Sequence, residues 1–139
     1  GGGVKADVTK LALELADGRT ISYAGLEAAS ARYANLLRRL GVAAGDRVMV
    51  QVDKSPEVVA LYLGCLRAGA VYLPLNTAYT KGEVAYFAGD AEPALAVCQP
   101  ARLAEIEAVA KPAGAKAVLT LGSAGEGTAS RRCRTGRMT

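Results

Sequence analysis

The chain has 139 residues, half of them hydrophobic, with 17 Lys and Arg, 13 Asp and Glu, and no histidine. That length and composition make one globular domain with a real core and exclude a disordered chain. The net charge of +4 excludes little, because Arg131, Arg132, Arg134 and Arg137 lie in the last ten residues and the rest balances at 13 against 13.

Taken in chain order, residues 1–10 (GGGVKADVTK) lack the apolar run of a signal peptide and read as a disordered or artificially appended lead. "LALEL" at 11–15 alternates as a half-buried strand does, Asp17-Gly18 makes a tight turn, and "TIS" at 20–22 returns, so a short hairpin opens the domain. Ser22 is placed to cap a helix whose apolar face is Leu26, Ala29, Tyr33, Leu36, Leu37 and Leu40, and Gly41 stops it. Gly25 stands where a capping-box glutamate would be.

"GDRVMVQV" at 45–52 is a turn feeding a buried strand. Ser55 as cap, Pro56 at the first helical position and Glu57 in the first turn start the next helix. Its body, "VVALYLGCLRAG", is apolar on nearly every side and is expected to be buried between layers. "AVYLPL" at 70–75 is a strand that Pro74 should end, because proline cannot donate to a ladder. Thr80 caps a helix to about Gly89, 94–98 is a strand, "ARLAEIEAVAKPAG" is a helix, and 115–121 is the last strand. Strand and helix thus alternate after the hairpin. The pattern predicts an α/β fold, a three-layer and mostly parallel sheet with right-handed crossovers and helices on both faces.

Candidate chemistry is sparse. Without histidine, Ser-His-Asp and Cys-His catalysis and His-ligated metals are excluded within the chain. Cys65, Cys98 and Cys133 show no C-x-x-C spacing, and their odd number fits a reduced, cytoplasmic protein. Cys65 reads as a small buried hydrophobe, and Tyr62 and Tyr72 as core residues with the hydroxyl at the rim. "GSAGEGTA" separates Gly122 and Gly127 as a phosphate loop would, but Thr128-Ala129 replaces the required lysine and hydroxyl residue, so a flexible surface loop is expected. Asp53-Lys54 falls at the carboxyl end of a strand, where open α/β sheets bind ligands, although ion pairing or helix capping accounts for the pair more simply. Glu83 and Asp90 read as a solvated helix face. Read from the residues, the chain has no complete active site: no catalytic, cofactor-binding or metal-binding residue is assigned. No basic face suggests nucleic acid, and the longest apolar run, broken by Arg67, Gly69 and Pro74, does not suit a membrane.

Several segments together resemble the adenylate-forming acyl-CoA synthetases, the AMP-binding superfamily of acyl-CoA ligases, peptide-synthetase adenylation domains and luciferases. "TISYAGLEAASARYANLLRRLGVAAGDRV" (20–48) resembles the first core motif, with Gly25 in place of its glutamate. "LRAGAVYLPLN" (66–76) resembles the second, with Arg67 for lysine and Asn76 for aspartate. "PLNTAYT" and "DAEP" are most like bacterial malonyl-CoA synthetases. The resemblance covers 11–122 and implies the N-terminal α/β subdomain of an enzyme that adenylates a small carboxylic acid with Mg-ATP and transfers the acyl group to CoA.

The family's Thr-Ser-Gly-Thr-Thr-Gly-x-x-Lys loop and later motifs are not in this chain, so ATP, Mg and CoA are implied for a full-length relative and none is expected to bind this segment. The expected partner is the remainder of the synthetase, as a missing segment or a separate chain. The contrasting expectation is a non-catalytic small α/β binding or assembly module. Residues 123–139 are expected to be a flexible Gly/Arg tail. With GC-rich codons from Ser130, a shifted frame reads Pro-Ala-Leu-Pro-Asp-Gly-Pro-Asp-Asp, an acidic linker typical of the segment before the family's loop. The tail is hypothesised to be a frameshift product. A coding sequence with no Thr-Ser-Gly-Thr-Thr-Gly downstream in any frame would overturn that.

Overall fold

The computed structural model describes residues 21–135. The lead segment 1–10, the strand and turn of the expected hairpin at 11–20, and residues 136–139 lie outside the described residues.

Helix α1 spans Tyr23–Arg39 and starts as its sequence dictates: the Ser22 hydroxyl accepts the amide proton of Gly25 at 3.0 Å. Strand β1 is Arg47–Gln51, helix α2 is Pro56–Ala68 with Ser55 as its cap, and strand β2 is Val71–Pro74. Between α2 and β2, Gly69 takes φ +74° and closes the helix, its N–H turned back to the carbonyls of Cys65 and Leu66. Helix α3 is Lys81–Ala91 and β3 is Leu95–Cys98. A short 3-10 turn, Pro100–Arg102, leads into α4, Leu103–Ala110. Strand β4 is Ala117–Thr120 and α5 is Thr128–Thr135.

The described strands are all parallel, in the order β2-β1-β3-β4. Alternate side chains feed two cores, as a sheet buried on both faces requires. Val48, Val50, Leu95, Val97 and Leu119 face α1, α2 and α5, meeting Leu37, Leu61, Cys65 and Ala129. Met49, Ala96 and Cys98 face α3 and α4, meeting Val84, Ala88, Ile106 and Ala110. The expected three-layer architecture is therefore present. Helices α1 and α2 approach closely at Gly64, where a Cβ would lie 2.6 Å from Tyr33 Cβ and 3.1 Å from the Ala34 nitrogen.

Three local expectations are corrected. Helix α2 is not buried all round: Tyr62 is 39% and Leu66 56% exposed, because the sheet ends at β2 and nothing described lies beyond it. Pro74 does not end β2 by breaking the ladder. It pairs with Val50, and because Val71 and Leu75 donate to the carbonyls of Asp46 and Val50, the Pro74 nitrogen faces outward.

The glycine loop and the first arginines also differ from the flexible segment expected over 123–139. Helix α5 buries Ala129, Ser130 and Cys133 on one stripe, and its arginines face outward or sit at the rim. The reason is short-range. The Thr120 amide donates to Thr128 Oγ1 at 2.8 Å, the Thr128 amide donates to Thr120 Oγ1 at 3.0 Å, and Ser130 Oγ donates to the Gly127 carbonyl at 3.2 Å.

Candidate functional site

The chain leaves β1 for β2 on one side of the sheet and returns to β3 on the other, so the topological switch lies between β1 and β3. Ligands of open α/β sheets bind outside the carboxyl ends of the strands at such a point. Gln51 ends β1 there and Cys98-Gln99 ends β3.

Gln51 is 2% exposed on the face shared with Met49. Its Nε2 donates to the carbonyl oxygens of Asn76 at 2.9 Å and Tyr79 at 3.2 Å, both in the loop after β2. Its Oε1 accepts from Arg102 Nη1 in the turn after β3. Arg102 in turn holds Glu105 by a two-point contact, Nε to Oε2 at 3.2 Å and Nη2 to Oε1 at 2.8 Å. One buried amide therefore ties together the two loops that flank the switch point, with both its ends bonded as burial demands. Asn76 adds an Asx turn by accepting the Ala78 amide at 2.8 Å, a task that a carboxylate at this position would do equally well.

The electrostatics here are those of a positioning network. The Arg102 hydrogen bond holds the Glu105 carboxyl below its ordinary value, and the same bond raises the Arg102 guanidinium. Burial pushes the Cys98 thiol up to about 11 and the Cys65 thiol up to about 12, which leaves both protonated at neutral pH. Burial also raises the Tyr33 and Tyr72 hydroxyls and the Cys133 thiol.

Each residue singled out from the sequence can be placed. Asp53 does lie at the carboxyl edge, where its Oδ2 accepts from Gln99 Nε2 at 3.2 Å; the helix cap beside it is Ser55, which accepts the Val58 amide. Cys65 is fully buried. Tyr72 is half-buried, and Tyr62 packs on its edge with ring centres 5.1 Å apart. Glu83 is more than a solvated face: it completes a capping box by accepting from the Thr80 amide at 3.0 Å, and this lowers its carboxyl below the ordinary range. Gln51 and Arg102 were missed. They are 51 residues apart, and no local pattern announces such a pair.

The glycine loop is not built to receive an anion. The glycine loop at 122–127 turns on itself, the Gly125 amide donating to the Gly122 carbonyl at 3.0 Å. Its Ala124 amide donates to Glu126 Oε1 at 3.1 Å, so the loop's own carboxylate sits where a phosphate loop would receive an anion. No group of three or more metal-ligating side chains occurs among the described residues.

A hollow of about 340 Å³ lies between α1, α2 and α5, lined by Ala29, Arg32, Tyr33, Pro56 and Cys133 among others. The Tyr33 hydroxyl is buried there without a hydrogen-bond partner among the described residues. No described helix is long and apolar enough to cross a membrane.

The family model "AMP-binding enzyme" matches residues 4–133. The chain belongs to the AMP-binding enzyme family. A 3-hydroxybenzoate–CoA/4-hydroxybenzoate–CoA ligase of Thauera aromatica is 49% identical over 72 residues, 52% of this chain and 14% of that ligase. Among solved structures, ATP-bound MatB from Rhodopseudomonas palustris is 49% identical with a TM-score of 0.82, covering 86% of this chain and 24% of MatB. The N-terminal domain of FACL13 from Mycobacterium tuberculosis, 24% identical with a TM-score of 0.74, shares the fold over 96% of this chain and 36% of that domain. The chain thus spans a quarter or less of the ligase and of MatB.

Proposed function

We propose that this AMP-binding family chain is the N-terminal portion of an ATP-dependent acyl-CoA synthetase that joins malonate to CoA through an acyl-adenylate. The observation that carries the reading is the match to MatB, a malonyl-CoA synthetase, at 49% identity across 86% of the chain. Identity of that level also links the chain to a hydroxybenzoate ligase, but over a shorter stretch. In this reading, residues 11–122 are the N-terminal subdomain, helix α5 packs onto it through Ala129 and Cys133, and the working enzyme is cytoplasmic. The protein's own residues scaffold the site: Gln51 holds the loops at the switch point, and the groups that meet ATP, Mg and CoA lie in the rest of the synthetase. The 139-residue chain alone is therefore inactive.

Replacing the matching stretch of R. palustris MatB by residues 11–122 tests this. The chimera is expected to release AMP with malonate and CoA, while the isolated chain does not. A folded chimera that releases no AMP with malonate and CoA would overturn the malonate reading. Malonate- and CoA-dependent AMP release by the isolated chain would overturn the scaffold assignment.

A further inference from the structure

The hollow between α1, α2 and α5 lies on the face of the sheet opposite Gln51, among the helices that cover Val48 and Val50. Its volume of about 340 Å³ falls in the range of small-molecule pockets, about 300–1,000 Å³. Voids left between packed side chains are far smaller. Ile21, Ala29, Pro56 and Ala60 make much of its wall apolar.

The polar groups of the hollow are few. The Tyr33 hydroxyl lines it in a residue 3% exposed and meets no hydrogen-bond partner among the described residues. Burial raises that hydroxyl above its ordinary value; Cys133 and Glu57 add to the rise, and Arg134 and Arg32 oppose it. At neutral pH it is therefore an uncharged donor without an acceptor. Arg32 and Arg134 are exposed at the rim, and Arg32 reaches the Cys133 thiol in the wall. The one carboxylate among the described lining residues, Glu57, is packed against the glycine loop: a Cβ at Gly125 would lie 2.7 Å from its Cδ. Gly25, at the helical position where a capping box carries glutamate, also lines the hollow and adds no second carboxylate.

We propose that this hollow is a binding site for a small amphipathic anion, with its apolar body against Ala29, Pro56 and Ala60, its head drawn to Arg32 and Arg134, and a head oxygen accepting from the Tyr33 hydroxyl. Charge selects an anion over a neutral molecule, since two guanidinium groups face one sequestered carboxylate. The apolar wall selects an amphipathic anion over inorganic phosphate or sulfate. The site stands on this chain's own residues, and the synthetase reading neither requires it nor falls with it.

Hexane-1-sulfonate is the probe, because its head stays charged and is not a carboxylic acid that an adenylating enzyme would take as substrate. Titration calorimetry of the 139-residue chain is expected to show one site, with NMR amide shifts centred on α1, α2 and α5. 1-Hexanol and inorganic sulfate, each carrying one half of the probe, should bind roughly tenfold more weakly. Tyr33→Phe should weaken the sulfonate roughly tenfold, the worth of one hydrogen bond to a charged group. The same variant is expected to melt higher, and lost binding with gained stability is not what a purely structural tyrosine gives. Arg32→Gln should weaken the sulfonate about threefold or more and leave hexanol unchanged. Arg38→Gln, which removes a charge from the same helix outside the hollow, should leave both unchanged.

No saturable binding of hexane-1-sulfonate by the folded wild-type chain overturns the site. Equal affinity for hexanol and the sulfonate, or equal losses in Arg32→Gln and Arg38→Gln, overturns the anion assignment. Full affinity in a folded Tyr33→Phe removes the hydroxyl from the site and overturns the proposal; should that variant not fold, Arg32→Gln, at an exposed position, decides in its place.

Discussion

Arg102 and Gln51 meet across the switch point of the sheet, Arg102 Nη1 donating to Gln51 Oε1. The contact links the turn after β3 to the end of β1, and Gln51 Nε2 extends it to the Asn76 and Tyr79 carbonyls after β2. The loops around the candidate site thus share one buried side chain. Gln51→Leu fits the space but leaves the Arg102 donor and two carbonyls without their partner. An unmet buried group costs about 1–3 kcal/mol, so urea unfolding should show a loss of that order. A loss below about 0.5 kcal/mol, the level of an ordinary surface substitution, would show that water replaces the amide.

Most of the fold was legible because its signals are local. Ser22, Ser55 and Thr80 cap helices as three-residue patterns suggest, and the alternation in 47–51, 95–98 and 117–120 matches sides of one sheet. What was not legible depends on neighbours far along the chain. The sequence marks Leu66 and Tyr62 as apolar but does not say that the sheet ends beside them. It marks Pro74 as a non-donor but does not say which side its nitrogen faces. The glycines of 122–127 are the exception: they suggest mobility, and what orders them is local, Thr128 on Thr120 and Glu126 on the Ala124 amide, in side-chain bonds that no propensity announces. Gln51 looked like one more residue of a strand until Arg102 arrived from 51 positions away.

Glu83 and Glu105 give the protein an acid limit. Both carboxyls lie below the ordinary 4.5, Glu83 through its bonds from Thr80 and Glu105 through Arg102. A carboxyl whose value is lowered by folding adds stability above its unfolded value and loses it as the pH falls through the folded value. The urea midpoint should therefore hold down to about pH 5 and fall below it. Glu83→Gln should flatten part of that fall. Thr80→Ala, which removes the other half of the capping box, should cost about 1 kcal/mol at neutral pH. An acid profile unchanged by Glu83→Gln would show that the box carries no charge-dependent stability.

Tyr33 carries a hydroxyl that is buried with no hydrogen-bond partner among the described residues, in a residue 3% exposed. Folding strips water from that hydroxyl without replacing the bond, and the ring, not the oxygen, supplies the packing. Tyr33→Phe keeps the ring and removes the unmet group. Stability is expected to rise by about 1 kcal/mol, read as a higher urea midpoint with an unchanged slope. A decrease would mean that the hydroxyl is bonded to water in the hollow between α1, α2 and α5.

Gly64 sets two opposed effects against each other. Alanine is favoured over glycine inside a helix by about 1 kcal/mol, so propensity alone predicts that Gly64→Ala stabilises α2. Its new Cβ, however, would stand 2.6 Å from Tyr33 Cβ, with the Ala34 nitrogen and the Ser30 carbonyl oxygen each at 3.1 Å. These are backbone and Cβ atoms in the middle of α1 and not the tip of a flexible side chain, so relief requires the two helices to separate. Forcing a methyl into a packed contact of this kind costs about 1–3 kcal/mol. The clash exceeds the propensity gain, and Gly64→Ala is expected to destabilise the fold by about 1 kcal/mol or more. The paired measurement on Gly89 isolates the clash: an alanine there meets nothing within 4 Å, so Gly89→Ala in α3 should show the propensity gain alone. A stabilised Gly64→Ala would show that α1 and α2 are free to move apart, and would remove the close approach as the reason for glycine at this position.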